Sequence, residues 1–464
     1  MRNKGLFTSA RDKALPFLAR HWPLLVLLAA ALLLRVFIFR SIGPQLSTDS
    51  VTYLILQDMQ PERTPGYPLF IEIIQFFNDL LTITPQYLRL IVFFQIFLLG
   101  LLNTYLVYAF AKILTRSGGF ALAMGLLFNL DYFVIGFEFV ILTETLSLSL
   151  LGLTLLFYWK IFQGKASAPY WAGLFSVCLL LTRPTYAAFF VCLLVLTAVI
   201  HLRQIFKGDF LRKYAKPLTV FLIINLVGIG SWSLRNKIKY DYFGISTILP
   251  YQLGYYTEQF YQKYKMGSDP ELDTYAQILI EEKGRPYDFG NRLAEELKIP
   301  KAEVSRILMR LDLKLIKENF REYLKILPGA ASIYYGYSWF WTKPQNKMLL
   351  ERNRILNALF GFFLNIHIFM FKNFIPLLLL VLIIPLALIW TVRKRNDDFH
   401  WLCLLEGTIQ HNFLVSVLLT NAGVNNMRFR VPVEPVILLV FYGALFTWGR
   451  SLFKSIFKPR AVVR

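Results

Sequence analysis

The sequence predicts an all-α polytopic membrane protein, built as a helical bundle of about 10–12 transmembrane helices. Three observations support this prediction. Hydrophobic residues make up 56% of the 464 positions, and the mean hydropathy is +0.49. Charged residues make up only 17% of the chain, whereas a soluble domain carries about 25%. Apolar runs of about 20 residues, the length that crosses a bilayer, recur along the sequence.

These runs predict ten spans. They lie at about residues 22–42, 88–112, 118–136, 139–159, 169–182, 184–202, 217–235, 373–392, 399–420 and 432–449. The two spans around Pro184 are short and fit a bent pair. Two interrupted apolar segments, 323–341 and 354–372, could lie in the membrane interface or form an additional pair, so the count is open by two.

Basic residues in alternate short loops predict the orientation. Lysines and arginines precede the first predicted span, follow residues 111, 159, 202 and 392, and recur in the C-terminal tail. These positions share one side of the membrane if both termini are cytoplasmic. The extracytoplasmic side then receives the loops at 43–87, 131–138, 237–372 and 421–431.

The chain accordingly divides into three regions: a transmembrane module at 1–236 with its first outer loop at 43–87, a large outer loop with interfacial helices at 237–372, and C-terminal transmembrane helices at 373–464. Within the large loop, residues 301–326 alternate charged and apolar positions at helical spacing. This pattern predicts an amphipathic helix on the membrane surface.

Composition also argues against several classes of function. The net charge is +21, but the basic residues fall in short loops instead of forming a patch on a soluble domain, so we expect no nucleic-acid partner. The three cysteines show no CxxC spacing and the five histidines form no HExxH. We therefore predict no disulfide framework and no bound metal, although a divalent ion between Asp49, Glu144 and a phosphate stays open.

The first outer loop carries the strongest candidates for a functional site. Asp49 follows the first span, with Tyr53 one helical turn later, and an acid beside hydrocarbon needs a partner or a function. A helix N-cap is the alternative for Asp49. Arg63 precedes a rigid turn at Pro65 and Gly66, and a guanidinium held at headgroup depth suits a phosphate. For Arg63 the alternative is a side chain that merely snorkels to the interface.

An acid beside a phosphate-binding arginine fits glycosyl transfer from a polyprenyl-phosphate sugar. Asp49 would take the proton of an acceptor hydroxyl as that oxygen attacks the anomeric carbon. Cationic groups would stabilise the phosphate that leaves on the lipid. One displacement of this kind inverts the anomeric configuration.

Further candidates lie later in the chain. Glu144 is near the outer end of the fourth span, and we expect it to face the cavity under Asp49, with contact to headgroup water as the alternative. Glu138, six residues earlier, should lie on roughly the opposite helix face and point away. Four arginines are candidate phosphate contacts or structural groups: Arg183, Arg235, Arg428 and Arg430.

Seven short motifs occur in a fixed order along the chain. They are LLLRVFIF with Arg35, DSVTY with Asp49 and Tyr53, ERTPGYPLF with Arg63, ILTETLSLSL with Glu144, LLLTRPTYAAFF with Arg183, GSWSLRNKIKYDYFGISTILPYQLG with Arg235, and NNMRFRVPVEPVILLV with Arg428 and Arg430. Together they resemble motifs of the GT-C superfamily of integral-membrane glycosyltransferases. The branch that the chain resembles contains bacterial protein mannosyltransferases and aminoarabinose (lipid A) transferases.

This resemblance implies a GT-C-type bundle with amphipathic juxtamembrane helices, located in the bacterial inner (plasma) membrane, with an extracytoplasmic active site. It assigns Asp49 as general base, Arg63 as a contact to the lipid phosphate and Glu144 as a supporting acid. The donor would be a polyprenyl-phosphate sugar, such as an undecaprenyl-phosphate one. The acceptor would be a hydroxyl or phosphate of a glycan, glycolipid or protein. One departure is Ser50 after Asp49, where eukaryotic-type protein mannosyltransferases often carry Asp-Glu.

Two other functions share the same substrate class. A transporter or flippase of lipid-linked sugars would be expected to show internal repeats and polar residues on both membrane faces. A polysaccharide polymerase or ligase would normally use histidine and arginine in a large outer loop, and His367 is the only histidine in the 237–372 loop. Both alternatives stay open.

Overall fold

The computed structural model describes most of the chain. The described residues are 4–54, 62–206, 208–267, 269–282, 298–335, 397–419 and 426–456, with the isolated positions 294, 295, 354, 358, 360, 361 and 365. Across these residues every regular element is a helix, apart from one isolated parallel bridge between Gln45 and Val140. The predicted all-α fold of a polytopic membrane protein is therefore confirmed. The predicted span 373–392 and His367 lie outside the described residues.

The described α-helices follow one another in short steps. In chain order they are α1 (Lys4–Ser41), α2 (Thr48–Leu54), α3 (Gly66–Leu81), α4 (Tyr87–Phe93), α5 (Gly100–Thr115), α6 (Gly118–Leu130), α7 (Tyr132–Ile135), α8 (Glu144–Phe162), α9 (Ala168–Thr182), α10 (Phe189–Ile200), α11 (Leu202–Phe206), α12 (Asp209–Tyr240), α13 (Ile248–Thr257), α14 (Pro270–Glu282), α15 (Lys301–Glu318), α16 (Phe320–Tyr335), α17 (Asp397–Leu419), α18 (Asn426–Arg430) and α19 (Glu434–Ile456). A π-helix at Phe94–Leu99 joins α4 to α5, and 3-10 helices occupy Gly136–Phe139, Pro184–Tyr186, Glu258–Lys263 and Val431–Val433.

Six helical segments of the described chain are long and apolar enough to cross a membrane. They are His21–Ser41, Tyr87–Thr115, Glu144–Phe162, Asp209–Tyr240, His400–Leu419 and Arg428–Thr447. Each overlaps a predicted span. Helix α9 and the Pro184–Ile200 segment are apolar but shorter, in agreement with the short pair predicted around Pro184.

The predicted spans 118–136 and 139–159 have different boundaries in the structure. The first bends by 52° at Asp131. The carboxylate of Asp131 accepts a hydrogen bond of 2.9 Å from the backbone N–H of Phe133 and so caps a new, short helix. Helix α8 then begins only at Glu144. An acid that bonds to nearby backbone in this way ends the preceding helix, which hydrophobicity alone does not reveal.

Helix α8 lies at the centre of the bundle, between α5 and α9. In its most apolar stretch 72% of the residues are buried. The corresponding shares are 22% in the first span and 17% in α12. The two outer helices therefore direct most of their apolar surface outward, where lipid replaces protein as the contact.

A buried ion pair joins α1 to the 3-10 helix before α8. The Arg35 guanidinium donates hydrogen bonds of 2.9 and 2.7 Å to the two carboxylate oxygens of Glu138, and a further one to Asn129. Both charged side chains are fully buried. Gly100 makes room for them, because a Cβ there would lie 2.5 Å from Arg35 Nε. The expectation that Glu138 points away from the bundle is therefore wrong.

The helices of the large outer region form a small packed layer. One face of α15 is buried against α13 and α14. Its buried apolar side chains are Val304, Ile307, Leu308, Leu311 and Leu315. The amphipathic helix predicted at 301–326 is confirmed up to Glu318, and a new helix begins at Phe320. The apolar face of α15, however, packs on protein, whereas we predicted that it lies on the membrane surface.

The packed face of α15 includes one acid, Asp312. Its Oδ1 accepts a hydrogen bond from the Thr257 hydroxyl of α13, and its buried Oδ2 has no hydrogen-bond partner among the described residues. Burial raises the pKa of Asp312 to about 8, and the bond from Thr257 opposes this shift only in part. The native protein therefore holds this carboxyl protonated at neutral pH.

We expect Asp312 to make the protein less stable as pH rises. An unfolded aspartate loses its proton near pH 4, whereas the native one keeps it until about pH 8. The native state thus binds the extra proton across this interval, and its stability is lost progressively toward the upper end. The variant Asp312→Asn stays neutral and should show a smaller fall in Tm between pH 5 and 8, with a higher Tm than wild type at pH 8. The exposed control Asp79→Asn should keep the wild-type profile, and an Asp312→Asn profile that matches wild type would contradict this assignment.

Candidate functional site

The first outer loop is tied to the segment that precedes α8. The backbone N–H of Gln45 donates to the Phe139 carbonyl at 2.9 Å, and the N–H of Ile141 donates to the Gln45 carbonyl at 3.1 Å. This bridge brings the start of α2 beside the start of α8. Asp49 lies within the first turn of α2, and its carboxylate binds arginine side chains. The alternative role as a helix N-cap is therefore not the one that the structure shows.

Five of the predicted residues meet in one cluster, which we call the Asp49 cluster: Asp49, Arg63, Glu144, Arg183 and Arg428. Asp49 Oδ1 lies 3.1 Å from an amino nitrogen of Arg63, and its Oδ2 is paired with Arg428. Arg428 also donates from Nε to Glu144. Arg183 completes the set, with Nη1 at 3.7 Å from Glu144. Arg428, near the C-terminal end of the chain, thus contacts both carboxylates, Asp49 and Glu144.

The cluster forms at one end of the bundle, where α1 and α9 finish and where α8 and the last span begin. We call this the site end. Because these helices run alternately up and down, residues from five distant motifs reach the same level. Helix direction therefore explains why candidates from five separate motifs can lie near one another.

The two carboxylates differ in how much of each side chain is exposed. The Asp49 side chain is 34% exposed, whereas that of Glu144 is 0% exposed. Arg63 and Arg428 are 22% exposed and Arg183 is 7% exposed. Asp49 is therefore the acid that a substrate can reach. Glu144 is buried and pairs with Arg183 and Arg428.

Charge favours an ionised Asp49 and leaves the cluster positive. Burial alone would raise the pKa of Asp49, but the charges of Arg428 and Arg63 outweigh it and hold this pKa below its ordinary value. The cluster's three guanidinium groups and two carboxylates carry a formal net charge of +1. Such a site favours an anionic ligand.

Arg183 carries a donor group that lacks a hydrogen-bond partner among the described residues. Its guanidinium lies over the ring of Phe429, 5.0 Å from the centroid. Its buried Nη1 makes no hydrogen bond to any described residue, and Glu144 is beyond hydrogen-bond distance at 3.7 Å. A buried donor without a partner is unfavourable, so a ligand oxygen at this position would be stabilised.

Tyr53 lies beside the cluster, next to Arg63. Arg63 donates a hydrogen bond of 3.3 Å to its hydroxyl and lies over its ring at 5.0 Å from the centroid. The ring meets that of Tyr67 edge-on, with centroids 5.3 Å apart. Tyr53 and Tyr67 thus fix one side of the Arg63 guanidinium.

A polar residue that we did not predict, Gln95, supports this arrangement. It accepts a hydrogen bond from the Tyr67 hydroxyl and donates two, of 3.0 and 2.9 Å, to the carbonyls of Glu138 and Val140. Gln95 lies in the π-helix between α4 and α5, and single π turns often occur at functional sites. A lone glutamine within an apolar span was the signal available in the sequence.

The turn after Arg63 is set by a close approach of two helices. A Cβ on Gly66 would lie 2.4 Å from the Thr182 hydroxyl and 2.8 Å from backbone atoms of Leu181. Both residues precede Arg183 at the end of α9. The glycine therefore lets the start of α3 lie against α9, which places Arg63 and Arg183 in one cluster.

We expect Gly66→Ala to destabilise the protein by about 1–3 kcal/mol, because backbone on the α9 side must move to admit a methyl group. The readout is the Tm of the purified protein in detergent. Gly119→Ala is the matched control, since a Cβ there would lie more than 4 Å from every described neighbour. Equal Tm values for both variants would show that the close approach at Gly66 is not needed.

Two predicted arginines are held elsewhere. Arg430 is fully buried, where it forms an ion pair of 2.5 Å with Glu434 and donates to the Tyr334 carbonyl at 2.8 Å. Arg235 lies over the rings of Trp232 and Tyr240, at 4.6 and 5.1 Å from their centroids. Both placements are consistent with the structural alternative that the sequence left open.

The motif around Arg235 has a positioning role instead. Trp232 and Asn236 donate hydrogen bonds to backbone carbonyls of the turn after α12, at 3.0 and 2.8 Å. Ser246 of that turn donates a bond of 2.6 Å to the Glu62 carbonyl, and Lys301 of α15 lies 3.3 Å from the Glu62 carboxylate. The helices of the large outer loop are thereby held next to Arg63.

Among the described residues there is no group of three or more histidine, cysteine, aspartate or glutamate side chains that could hold a metal ion. A scan of the sequence against protein-family models finds no match, and a search of curated proteins likewise finds none.

Proposed function

We propose that this protein is an inverting glycosyltransferase that uses a polyprenyl-phosphate sugar as donor and a hydroxyl or phosphate group as acceptor. The observation that supports it best is the Asp49 cluster: one accessible carboxylate flanked by guanidinium groups at the end of an apolar bundle. A lipid phosphate needs cations at the depth of the headgroups, and an attacking acceptor needs a base beside them. The order of the motifs, which resembles that of GT-C enzymes, favours the same reaction.

The cluster supplies the contacts that the donor phosphate requires. Arg183 Nη1 makes no hydrogen bond to a described residue and is one donor, and the exposed parts of Arg63 and Arg428 offer others. The polyprenyl chain would lie along the lipid-facing surface of the bundle. Glu144 is fully buried and acts as a positioning residue that orients Arg183 and Arg428.

Donor binding would also prepare Asp49 as a base. In the free protein both of its oxygens are bound by arginine, and its lowered pKa makes it a weak proton acceptor. A phosphate that draws Arg63 or Arg428 toward itself weakens those bonds. The pKa of Asp49 then moves back toward its ordinary value, and one carboxylate oxygen becomes free to accept a proton.

The reaction that follows is a single displacement. The acceptor oxygen forms a bond to the anomeric carbon, and the bond from that carbon to the phosphate oxygen breaks. Asp49 takes the acceptor proton, and the polyprenyl phosphate leaves with the electron pair, stabilised by the guanidinium groups. The sugar thus passes to the acceptor with inverted configuration.

Charge also supports an extracytoplasmic site. Basic residues occupy the helix ends opposite the site end, at Lys112, Arg116, Lys160 and Lys165. By the positive-inside rule this opposite end is cytoplasmic, which directs the Asp49 cluster outward. We propose the bacterial inner membrane as the location.

The proposal is tested with purified protein in detergent and polyprenyl-phosphate sugars that carry a labelled sugar. We expect label to appear in a glycan, glycolipid or protein acceptor, with one polyprenyl phosphate released for each sugar transferred. A flippase would move the donor across a vesicle membrane and consume none of it. Transport without release of polyprenyl phosphate, from every donor tried, would therefore replace the enzymatic proposal by that alternative.

A further inference from the structure

A second cleft opens at the site end, between the end of α1 and the beginning of α4. It encloses about 440 Å³ and is lined by residues 39–44 and 85–89, none of which belongs to the Asp49 cluster. Two arginines, Arg40 and Arg89, line it and both are exposed. The lining includes no aspartate or glutamate, and within the described residues neither arginine forms an ion pair. The cleft is thus positively charged.

The wall of the cleft orients one of its arginines. The Arg89 guanidinium lies 5.4 Å from the centroid of the Phe39 ring. The same ring packs against Phe93 and Phe97, with centroids 6.1 and 5.6 Å away. An aromatic face that holds a guanidinium restricts its motion and leaves its N–H groups available at the edge.

Below each arginine, toward the middle of the membrane, an apolar surface is exposed. Leu33 and Phe37 share a face of α1 with Arg40, at intervals of four and three residues, and are 71% and 41% exposed. Phe93 lies one helical turn below Arg89 and is 42% exposed. Each guanidinium therefore stands above an apolar strip that a hydrocarbon chain could cover.

We propose that this cleft binds the phosphate headgroup of an anionic membrane phospholipid, with its acyl chains along the two apolar strips. Two cations in a described lining that has no acidic residue match a phosphodiester, and the apolar strips match a diacyl lipid better than a soluble anion. Such a lipid would contact both the first span and the second and hold them together at the site end. This site is independent of the donor site at the Asp49 cluster.

The test measures lipid retention by native mass spectrometry of the whole purified protein in detergent, titrated with phosphatidylglycerol, phosphatidylcholine or inorganic phosphate. We expect phosphatidylglycerol to bind better than phosphatidylcholine, and inorganic phosphate not to displace it. The double variant Arg40→Gln with Arg89→Gln should weaken phosphatidylglycerol binding by about fivefold per arginine, or about twenty-five-fold in total. The charge-conserving variant Arg40→Lys with Arg89→Lys should retain most of the affinity.

Matched controls make the result specific. Arg321→Gln with Lys325→Gln removes two exposed charges, four residues apart on α16, and should leave binding unchanged. The proposal would be overturned by equal binding of the two phospholipids, by an equal loss in this control, or by a loss that occurs only when Arg63 is changed. Displacement by inorganic phosphate would instead identify a site for a soluble anion and would also overturn it.

Discussion

Replacement of Asp49 by asparagine is expected to lower the rate of sugar transfer by about 10²- to 10⁴-fold, the usual contribution of a general base. The change removes the proton acceptor and keeps the shape of the side chain. Binding of the donor lipid should be unchanged or tighter, because the loss of one negative charge makes the cluster more positive. The measurements are the transfer rate under saturating donor and the donor affinity of the same purified variant.

The control for this variant is Asp241→Asn. Asp241 is also an aspartate paired with two basic side chains, Lys237 and Arg306, but it is 73% exposed and lies outside the Asp49 cluster. It should transfer sugar at the wild-type rate. A wild-type rate in Asp49→Asn would remove this residue as the base, and loss of donor binding in Asp49→Asn would indicate a structural role.

The largest loss of stability is expected from Arg35→Met. This change leaves the fully buried Glu138 carboxylate without its guanidinium partner, and an uncompensated buried charge destabilises a protein by about 3–5 kcal/mol. The readout is the free energy of unfolding of the purified protein in detergent, or its Tm. We expect Arg35→Met to unfold well below the wild type.

The second member of the pair provides the control. Removing the charge of Glu138 as well, in Arg35→Met with Glu138→Gln, should recover a large part of the lost stability, because no buried charge remains. If the double variant is as unstable as the sum of the two single variants, the ion pair is not the cause. Arg212→Met, at an exposed position of α12, should change stability little.

The sequence named the five members of the Asp49 cluster, together with Tyr53, Arg235 and Arg430, because simple rules apply to residues at the ends of spans. Helices in a membrane alternate in direction, so the end of one span and the beginning of the next meet at the same level. That rule places Asp49, Glu144, Arg183 and Arg428 at one level of the membrane, although up to 379 positions separate them. Arg63 joins them because the rigid turn beside it holds its helix against α9.

Other features depend on tertiary contacts that no local pattern reveals. Glu138 and Glu144 looked like two faces of one helix, but the chain bends at Asp131 and α8 begins at Glu144. Glu138 then pairs with Arg35, and Glu144 pairs with Arg428. Arg430 resembled Arg428 in sequence, yet its position two residues later directs it into a buried pair with Glu434. The support from Gln95 depends on a π turn, which periodicity does not predict.

The outer region illustrates the same limit. Periodicity correctly predicted an amphipathic helix from residue 301, but the partner of its apolar face was protein. An apolar face matches a membrane surface and another helix equally well. Only the packing of α15 on α13, with Asp312 enclosed between them, distinguishes the two cases.

The central claim is that the Asp49 cluster binds the donor phosphate beside an accessible carboxylate. Its most direct test is an experimental structure of the protein with bound polyprenyl phosphate. We predict phosphate density within hydrogen-bond distance of Arg183 and of Arg63 or Arg428, next to Asp49. Phosphate density at another position, for example only between Arg40 and Arg89, would contradict the claim.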